Sequence, residues 1–403
     1  MRHSSGHGRR SRAAVLRLIA VSLFALAASA AAAAPYRPGD DGAILERVPA
    51  RSQLERLAPL RAAVTERPDD LPAALALARG YIEMGRRNSD PRFIAYAQAT
   101  LAPWLARPQP EVGVLVLQAT ALQYLHRFDA ALALLERAIA RAPLDAQAWL
   151  TRAALLELRG DYPAARRACA RLLLRADEFT ALTCIGSVDG RSGRLESSYA
   201  ALKTPGGLDP RLPAQLRAWR LAVTAEMAER RGDDEAAEAD LVEALRLGAD
   251  EPYLKAAYAD LLLRLGRARE VIILLAGSEA QDSLLLRLAI AGRRVAHPQA
   301  GHWAQAYEER LQAAERDADS SHRREQALFL LDVQGDAPAA LRAAASNWSV
   351  QREPADVRVY ARAAGRAGSA ADRAVIASWL AASHYEDRTL PTPEISASPR
   401  HST

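Results

Sequence analysis

Aromatic residues are scarce in this 403-residue chain, where Phe, Trp and Tyr together make up only 5% of the sequence. Strands draw preferentially on aromatic and β-branched residues, so their scarcity argues against a β-rich fold. Alanine, leucine and arginine dominate instead, and all three favour helices. Since 50% of the residues are hydrophobic, the chain is able to bury a large core. The composition predicts an all-α protein.

Lysine is nearly absent, and the chain also lacks a lasting excess of positive charge. Its formal net charge is +5, but residues 1–33 contain five arginines and no acidic residue. Without them, 48 of the 53 basic residues remain against 48 acidic residues. A nucleic-acid-binding protein needs a basic face. The charge balance therefore argues against nucleic acid as the partner.

The sequence lacks the short motifs of common catalytic and cofactor sites, including H-E-x-x-H, G-x-S-x-G and the phosphate-binding loop. His297 and His302 are five residues apart beside Pro298 and Gly301, a spacing more typical of a loop than of a metal site. Residues 186–190 (Gly-Ser-Val-Asp-Gly) superficially resemble a nucleophile elbow, but no strand precedes them, and we interpret them as the turn of an irregular repeat. We predict no enzyme activity, no metal and no cofactor.

The first 34 residues have the organisation of a secretory signal peptide. Residues 1–12 are polar and basic, residues 13–34 are mostly apolar, and Ala28-Ser29-Ala30 matches the A-x-A cleavage rule. The alternative is a permanent anchor, but the apolar part from Leu18 to Ala34 is short for a span of ~20 residues. We expect a cleaved signal over 1–34, a periplasmic or secreted protein, and no membrane span after cleavage.

One internal period dominates the middle of the chain. Phe128 and Tyr162 are 34 residues apart, and Gly232 and Gly266 have the same separation. A fixed period of this length is typical of stacked helical repeats. The residues that recur include an aromatic residue, small alanines, a glycine and a proline. They are Phe128, Ala131, Ala138, Pro143, Trp149, Gly160, Tyr162, Ala165, Gly232, Ala237 and Gly266.

This pattern resembles the tetratricopeptide repeat (TPR) family. The resemblance implies antiparallel helix pairs that stack into a right-handed superhelical solenoid. In such a pair the glycine ends the first helix in a left-handed cap, the alanines allow close helix contact, and the proline ends the second helix. Arrays of this kind create concave binding surfaces.

The period divides the chain into segments. We expect regular repeats at 112–145, 146–179, 218–251 and 252–281, with a degenerate repeat at 180–217 that prolines interrupt. N-terminal helices with a degenerate repeat are expected over 53–111, and C-terminal helical repeats over 282–387. Residues 35–52 and 388–403 are rich in proline, glycine, serine and charge, and are expected to be loose tails.

The only two cysteines, Cys169 and Cys184, fall on either side of a predicted turn near Ala176 and Asp177. Residues equidistant from the turn of a helical hairpin lie opposite each other, within the ~4.4–6.8 Å between Cα atoms that a disulfide requires. An oxidising periplasm permits the bond. The alternative is a pair of independent buried thiols. We predict a disulfide.

In the TPR family, the first helix of each pair lines the concave face. The resemblance therefore implies a mixed polar, charged and aromatic groove formed by Thr120, Gln123, Tyr124, Gln147, Glu157, Trp219, Glu226, Arg230, Tyr253, Asp260 and Arg264. The lysines and asparagines with which some family members hold chaperone C-termini are absent at these positions. We predict a periplasmic interaction scaffold that binds a peptide or an envelope protein. The alternative is a structural or assembly subunit of an envelope export or polysaccharide machine.

Overall fold

In a computed structural model of the chain, residues 54–88, 90–174, 176–204, 208–248, 251–316 and 323–391 are described, and their regular secondary structure is entirely helical. The chain divides into two compact units, Met1–Arg56 and Leu57–Thr403. Only residues 54–56 of the first unit are described, so the predicted signal peptide lies outside the described residues. No described helix is both long and apolar enough to cross a membrane.

The described helices of the second unit form a single α1 followed by consecutive pairs, in agreement with the predicted all-α solenoid. They are α1 (Ala58–Glu66), α2 (Leu71–Asn88), α3 (Pro91–Leu105), α4 (Val112–Tyr124), α5 (Phe128–Arg141), α6 (Ala146–Leu158), α7 (Tyr162–Leu172), α8 (Glu178–Gly190), α9 (Leu195–Leu202), α10 (Ala214–Arg231), α11 (Asp234–Leu247), α12 (Pro252–Arg264), α13 (Ala268–Leu274), α14 (Asp282–Arg294), α15 (Ala300–Arg316), α16 (Arg323–Phe329), α17 (Ala337–Trp348), α18 (Pro354–Arg366) and α19 (Ala370–Ser383).

From α4 onward, each pair turns through one residue with a left-handed backbone. These residues are His126, Gly160, Gly193, Gly232, Gly266, Ala296, Gly335 and Gly368. Glycine adopts this conformation without steric cost, whereas histidine and alanine do so rarely. A search for glycine alone therefore misses the turns of the α4/α5 and α14/α15 pairs. The interpretation of residues 186–190 as a turn is wrong, because they lie inside α8 and the turn comes at Gly193.

Aspartates begin many of the helices and small residues allow them to pack closely. The side chain of Asp161 accepts a hydrogen bond from the backbone N–H of Ala164 at 3.1 Å, which caps α7. Asp233, from the acidic run before α11, caps that helix in the same way by accepting from Ala236 at 3.1 Å. Ala131 and Ala165 are fully buried between helices, where a larger side chain would force the helices apart.

The predicted disulfide is present in the structure. Cys169 of α7 and Cys184 of α8 are bonded, with their Cα atoms 5.6 Å apart. Both side chains are buried in the core between α6, α7 and α8. The bond therefore links the second helix of one pair to the first helix of the next, where the regular period meets the degenerate repeat.

Replacing both cysteines by alanine should lower the free energy of unfolding by about 3 kcal/mol, because the unfolded chain regains the entropy that a loop of this length loses on closure. Urea denaturation followed by circular dichroism measures the change. Adding a reductant to the wild-type protein should reproduce it, and the double variant should not respond to the reductant. An equal midpoint for the oxidised wild type and the double variant would contradict the expectation.

Candidate binding cavity

The array closes on itself, so that its C-terminal pairs contact its middle. The backbone N–H of Arg352, before α18, donates to the carbonyl of Leu158 at 2.7 Å. The backbone N–H of Arg388 likewise donates to the carbonyl of Arg230 at 2.8 Å. At the N-terminal side, Arg86 of α2 forms an ion pair with Glu251 at 3.0 Å. The concave side of the helices is therefore enclosed from several directions.

The enclosed space is a cavity of about 970 Å³. Its described walls come mainly from the first helices of the pairs, α2, α4, α10, α12, α14, α16 and α18. No described residue of α8 lines it. The volume is at the upper end of the ~300–1,000 Å³ typical of ligand sites, so the cavity has room for a short peptide segment but not for a folded domain.

The structure brings most of the predicted groove residues to this cavity. Those that line it are Thr120, Gln123, Tyr124, Glu226, Tyr253, Asp260 and Arg264. Four others lie outside its described lining. Gln147 is exposed and bonds Thr151, Trp219 packs against the core of α6–α8, and Glu157 and Arg230 belong to a buried ion-pair network.

That network lies at the cavity wall and connects three helix pairs. Arg191 pairs with Glu226 and lies 3.4 Å from Glu157. Arg230, fully buried, pairs with Glu226 at 3.3 Å. Burial alone would raise the pKa of Glu226, but Arg191 and Arg230 outweigh it and hold the pKa below its ordinary value. For Glu157 burial dominates and raises the pKa.

The segment after α19 runs along the array and reaches the cavity. Asp387 is fully buried and accepts a hydrogen bond from Arg358 Nε at 2.9 Å, while Arg230 donates to the carbonyl of Glu386 at 3.2 Å. Thr389, Leu390 and Pro391 then line the cavity. Residues 388–391 of the segment that was expected to be a loose tail thus make specific contacts, and residues 392–403 lie outside the described residues.

Tyr253, at the start of α12, is the most accessible aromatic ring of the cavity. Its side chain is 61% exposed, and it is among the residues that line the cavity. The dense protein around it raises the pKa of its hydroxyl above the ordinary value by desolvation. An aromatic ring next to charges of both signs is suited to packing on a peptide chain and donating hydrogen bonds to it.

Sequence reasoning missed the C-terminal half of the cavity wall. Arg294, Arg358, Arg362 and Arg366 line the cavity, but they belong to helix pairs that lack the full repeat signature. Gly335 and Gly368, both with positive φ, are the signal that could have placed α16 and α18 as first helices. Their inward-facing positions would then have followed from those of the regular repeats.

A buried carboxyl group stabilises the start of α18 beside the cavity. Asp356 accepts hydrogen bonds from Asn347 at 2.8 Å and from the backbone N–H of Glu353 at 2.7 Å. Burial raises its pKa from 3.8 to about 6, although Arg324 acts in the opposite direction. The folded protein therefore binds this proton more tightly than the unfolded chain does.

Stability should consequently fall as the pH rises from about 4 to about 6, by up to ~1.4 kcal/mol per pH unit from this group. The variant Asp356→Asn should lose that component, as urea denaturation over a pH series would measure. Asp372→Asn is the control of opposite sign. Hydrogen bonds from Ser369 and Tyr360 lower the pKa of Asp372, so its contribution is lost as the pH falls. An unchanged pH dependence in Asp356→Asn would refute the assignment.

Comparison with known families and structures agrees with the repeat assignment. Residues 116–180 match the family model described as Tetratricopeptide repeat, which confirms the resemblance over that segment. A chain of the crystal structure of the APC/C hetero-tetramer Cut9-Hcn1 is 14% identical with a TM-score of 0.36, over 77% of this chain and 52% of that one. This chain thus spans about half the length of that match. The TPR domain of P58(IPK) is 18% identical with a TM-score of 0.24, over 78% and 97% of the two chains. No curated protein matches significantly.

Proposed function

We propose that this tetratricopeptide-repeat protein is an exported, non-catalytic scaffold that binds a short extended segment of another protein in its enclosed cavity. The observation that carries the proposal is the cavity itself, because the first helices of successive pairs form its walls. Helical repeats support protein and peptide binding through such inner surfaces. The volume of about 970 Å³ favours a peptide segment over a folded domain.

Two features support export to an oxidising compartment. The N-terminal 34 residues have the pattern of a cleaved signal peptide, and the only two cysteines form a disulfide, which persists in the periplasm and outside the cell. Fractionation of cells, with N-terminal sequencing of the exported protein, tests the location. Recovery of the protein in the cytoplasm with an intact leader would overturn it.

Selection of a peptide library against the purified exported protein tests the function, with affinity measured by calorimetry. Ala355 of α18 is exposed to the cavity, and Ala355→Trp should fill it and abolish peptide binding. Ala374→Trp places the same side chain on an exposed position of α19 away from the described cavity lining, and should bind normally. The proposal fails if no peptide binds, or if both variants bind equally well.

The alternative is an assembly subunit of an envelope machine. Its single supporting feature is the disulfide-braced, closed array, which is suited to a permanent structural role. Affinity purification from envelope extracts separates the two functions. Recovery of one stoichiometric complex would favour the subunit, and recovery of several weakly bound proteins would favour the scaffold.

A further inference from the structure

The charges of the cavity wall are unevenly distributed. Among the described lining residues there are nine arginines and seven carboxylates. Six arginines and six carboxylates lie in one part of the wall, where they form pairs such as Arg287 with Asp260 and Arg310 with Asp282. The other three arginines, Arg294, Arg362 and Arg366, surround the remaining carboxylate, Asp332. The excess positive charge of the described wall therefore lies in this one cluster, which we call the arginine cluster.

Hydrogen bonding inside the arginine cluster leaves this charge uncompensated. Arg362 bonds Asp332 directly. Arg366 Nη1 is 3.7 Å from Asp332 and donates to the neutral carbonyl of Leu331 at 3.2 Å, and Arg294 donates to the neutral carbonyl of Leu263. Desolvation, together with the charges of Arg362 and Arg366, lowers the pKa of Arg294 despite the opposing effect of Asp332. Like charges crowded in this way are stabilised when an anion joins them.

The backbone places Asp332 among these arginines through an unusual local structure. The π-helical turn Leu330–Gln334 extends α16, and it ends at Gly335, whose φ is 77°. Such turns are rare and occur frequently at functional sites. The three arginines come from α14 and α18, which are regular helices anchored in the core. Rigid helices that present several guanidinium groups to one point form a preorganised site.

We infer that Arg294, Arg362 and Arg366 bind a carboxylate group of the peptide held in the cavity. This inference rests on the proposed function and names the chemistry of its ligand, a segment with an acidic side chain or a free C-terminus at its anchoring point. Arginine guanidinium groups bind carboxylates through paired hydrogen bonds. Asp332 provides one such carboxylate from within the chain, and its charge competes with that of the ligand.

The dicarboxylate glutarate tests the site without any peptide, by calorimetry on the full protein at constant ionic strength. Wild type should bind glutarate, and Arg362→Gln/Arg366→Gln should bind it at least about tenfold more weakly, because charge-assisted hydrogen bonds are lost. Arg86→Gln/Arg310→Gln removes the same charge from exposed ion pairs elsewhere in the wall and should bind like wild type. Asp332→Asn, which removes the competing carboxylate, should bind more tightly.

Peptides from the library selection then distinguish the source of the carboxylate. Amidation of the C-terminus should abolish binding if the α-carboxylate is the anchor, and Asp→Asn or Glu→Gln changes should do so if a side chain is. The inference is overturned if wild type does not bind glutarate, if both double variants lose binding equally, or if peptides without any carboxylate bind as well as acidic ones. In that last case the peptide-binding function stands. Glutarate binding without peptide binding would instead overturn the function and retain the anion site.

Discussion

Replacing Arg191 by methionine should lower the free energy of unfolding by about 3–5 kcal/mol, the cost of leaving buried carboxylates without their partner. Arg191 is 8% exposed and lies between Glu226 and Glu157. Methionine fills similar space but supplies no charge. Glu226 keeps Arg230, whereas Glu157 keeps only the hydrogen bond that it accepts from Ser187 among its described partners. Urea denaturation at neutral pH measures the loss.

The destabilisation should shrink as the pH falls, since burial already raises the pKa of Glu157 and protonation removes the unpaired charge. Arg166→Met is the matched control, because Arg166 is 47% exposed on its side chain and its partner Asp189 also pairs with Arg194. The control should lose less than about 1 kcal/mol. If Arg191→Met were as mild as Arg166→Met, the network would not connect the pairs energetically.

Replacing Trp379 by alanine should cost about 3 kcal/mol, at the lower end of the range for large aromatic residues because the ring is only half-buried. Trp379 of α19 packs on Trp348 and Tyr385, with ring centroids 5.0 and 5.3 Å away, and on Tyr162 of α7 at 6.3 Å. It is the side chain that joins the core of the C-terminal pairs to the core of α6–α8. Its loss should therefore loosen the closure of the array.

Hydrogen exchange followed by mass spectrometry would localise this effect. Protection should fall in α18 and α19 and at the turn around Gly160, where the closing contacts lie, while α10–α13 should keep theirs. Val375→Ala, on the same helix at a side chain that is 48% exposed, should leave the exchange pattern unchanged. Equal exchange in Trp379→Ala and wild type would show that the closure does not depend on this ring.

The repeat pattern predicts the local units well because each unit is stabilised by nearby residues. Phe128, Tyr162 and the alanines next to them are buried against the preceding or following helix, so their 34-residue spacing directly reflects the packing. The same holds for Cys169 and Cys184, which lie on adjacent helices joined by a short turn. Irregular turns at His126 and Ala296 escape this pattern, since tertiary packing compensates for the strain of a left-handed residue.

The cavity depends on contacts that no local pattern contains. The hydrogen bonds from Arg352 to Leu158 and from Arg388 to Arg230 join residues far apart in the sequence. Small rotations between successive pairs accumulate along the array and decide whether such residues meet. The groove positions of the regular repeats were accessible to sequence reasoning, but the wall formed by α14, α16 and α18 was not.

The sequence by itself determined the helical class, the paired repeat and the disulfide, because all three follow from interactions between neighbouring segments. Only the tertiary structure decided that the array closes around a cavity, that Arg230 is buried in an ion-pair network, and that Arg294, Arg362 and Arg366 surround a single carboxylate. These features arise where helices distant in sequence converge. Their geometry is the sum of many small packing angles, and no single residue or motif encodes it.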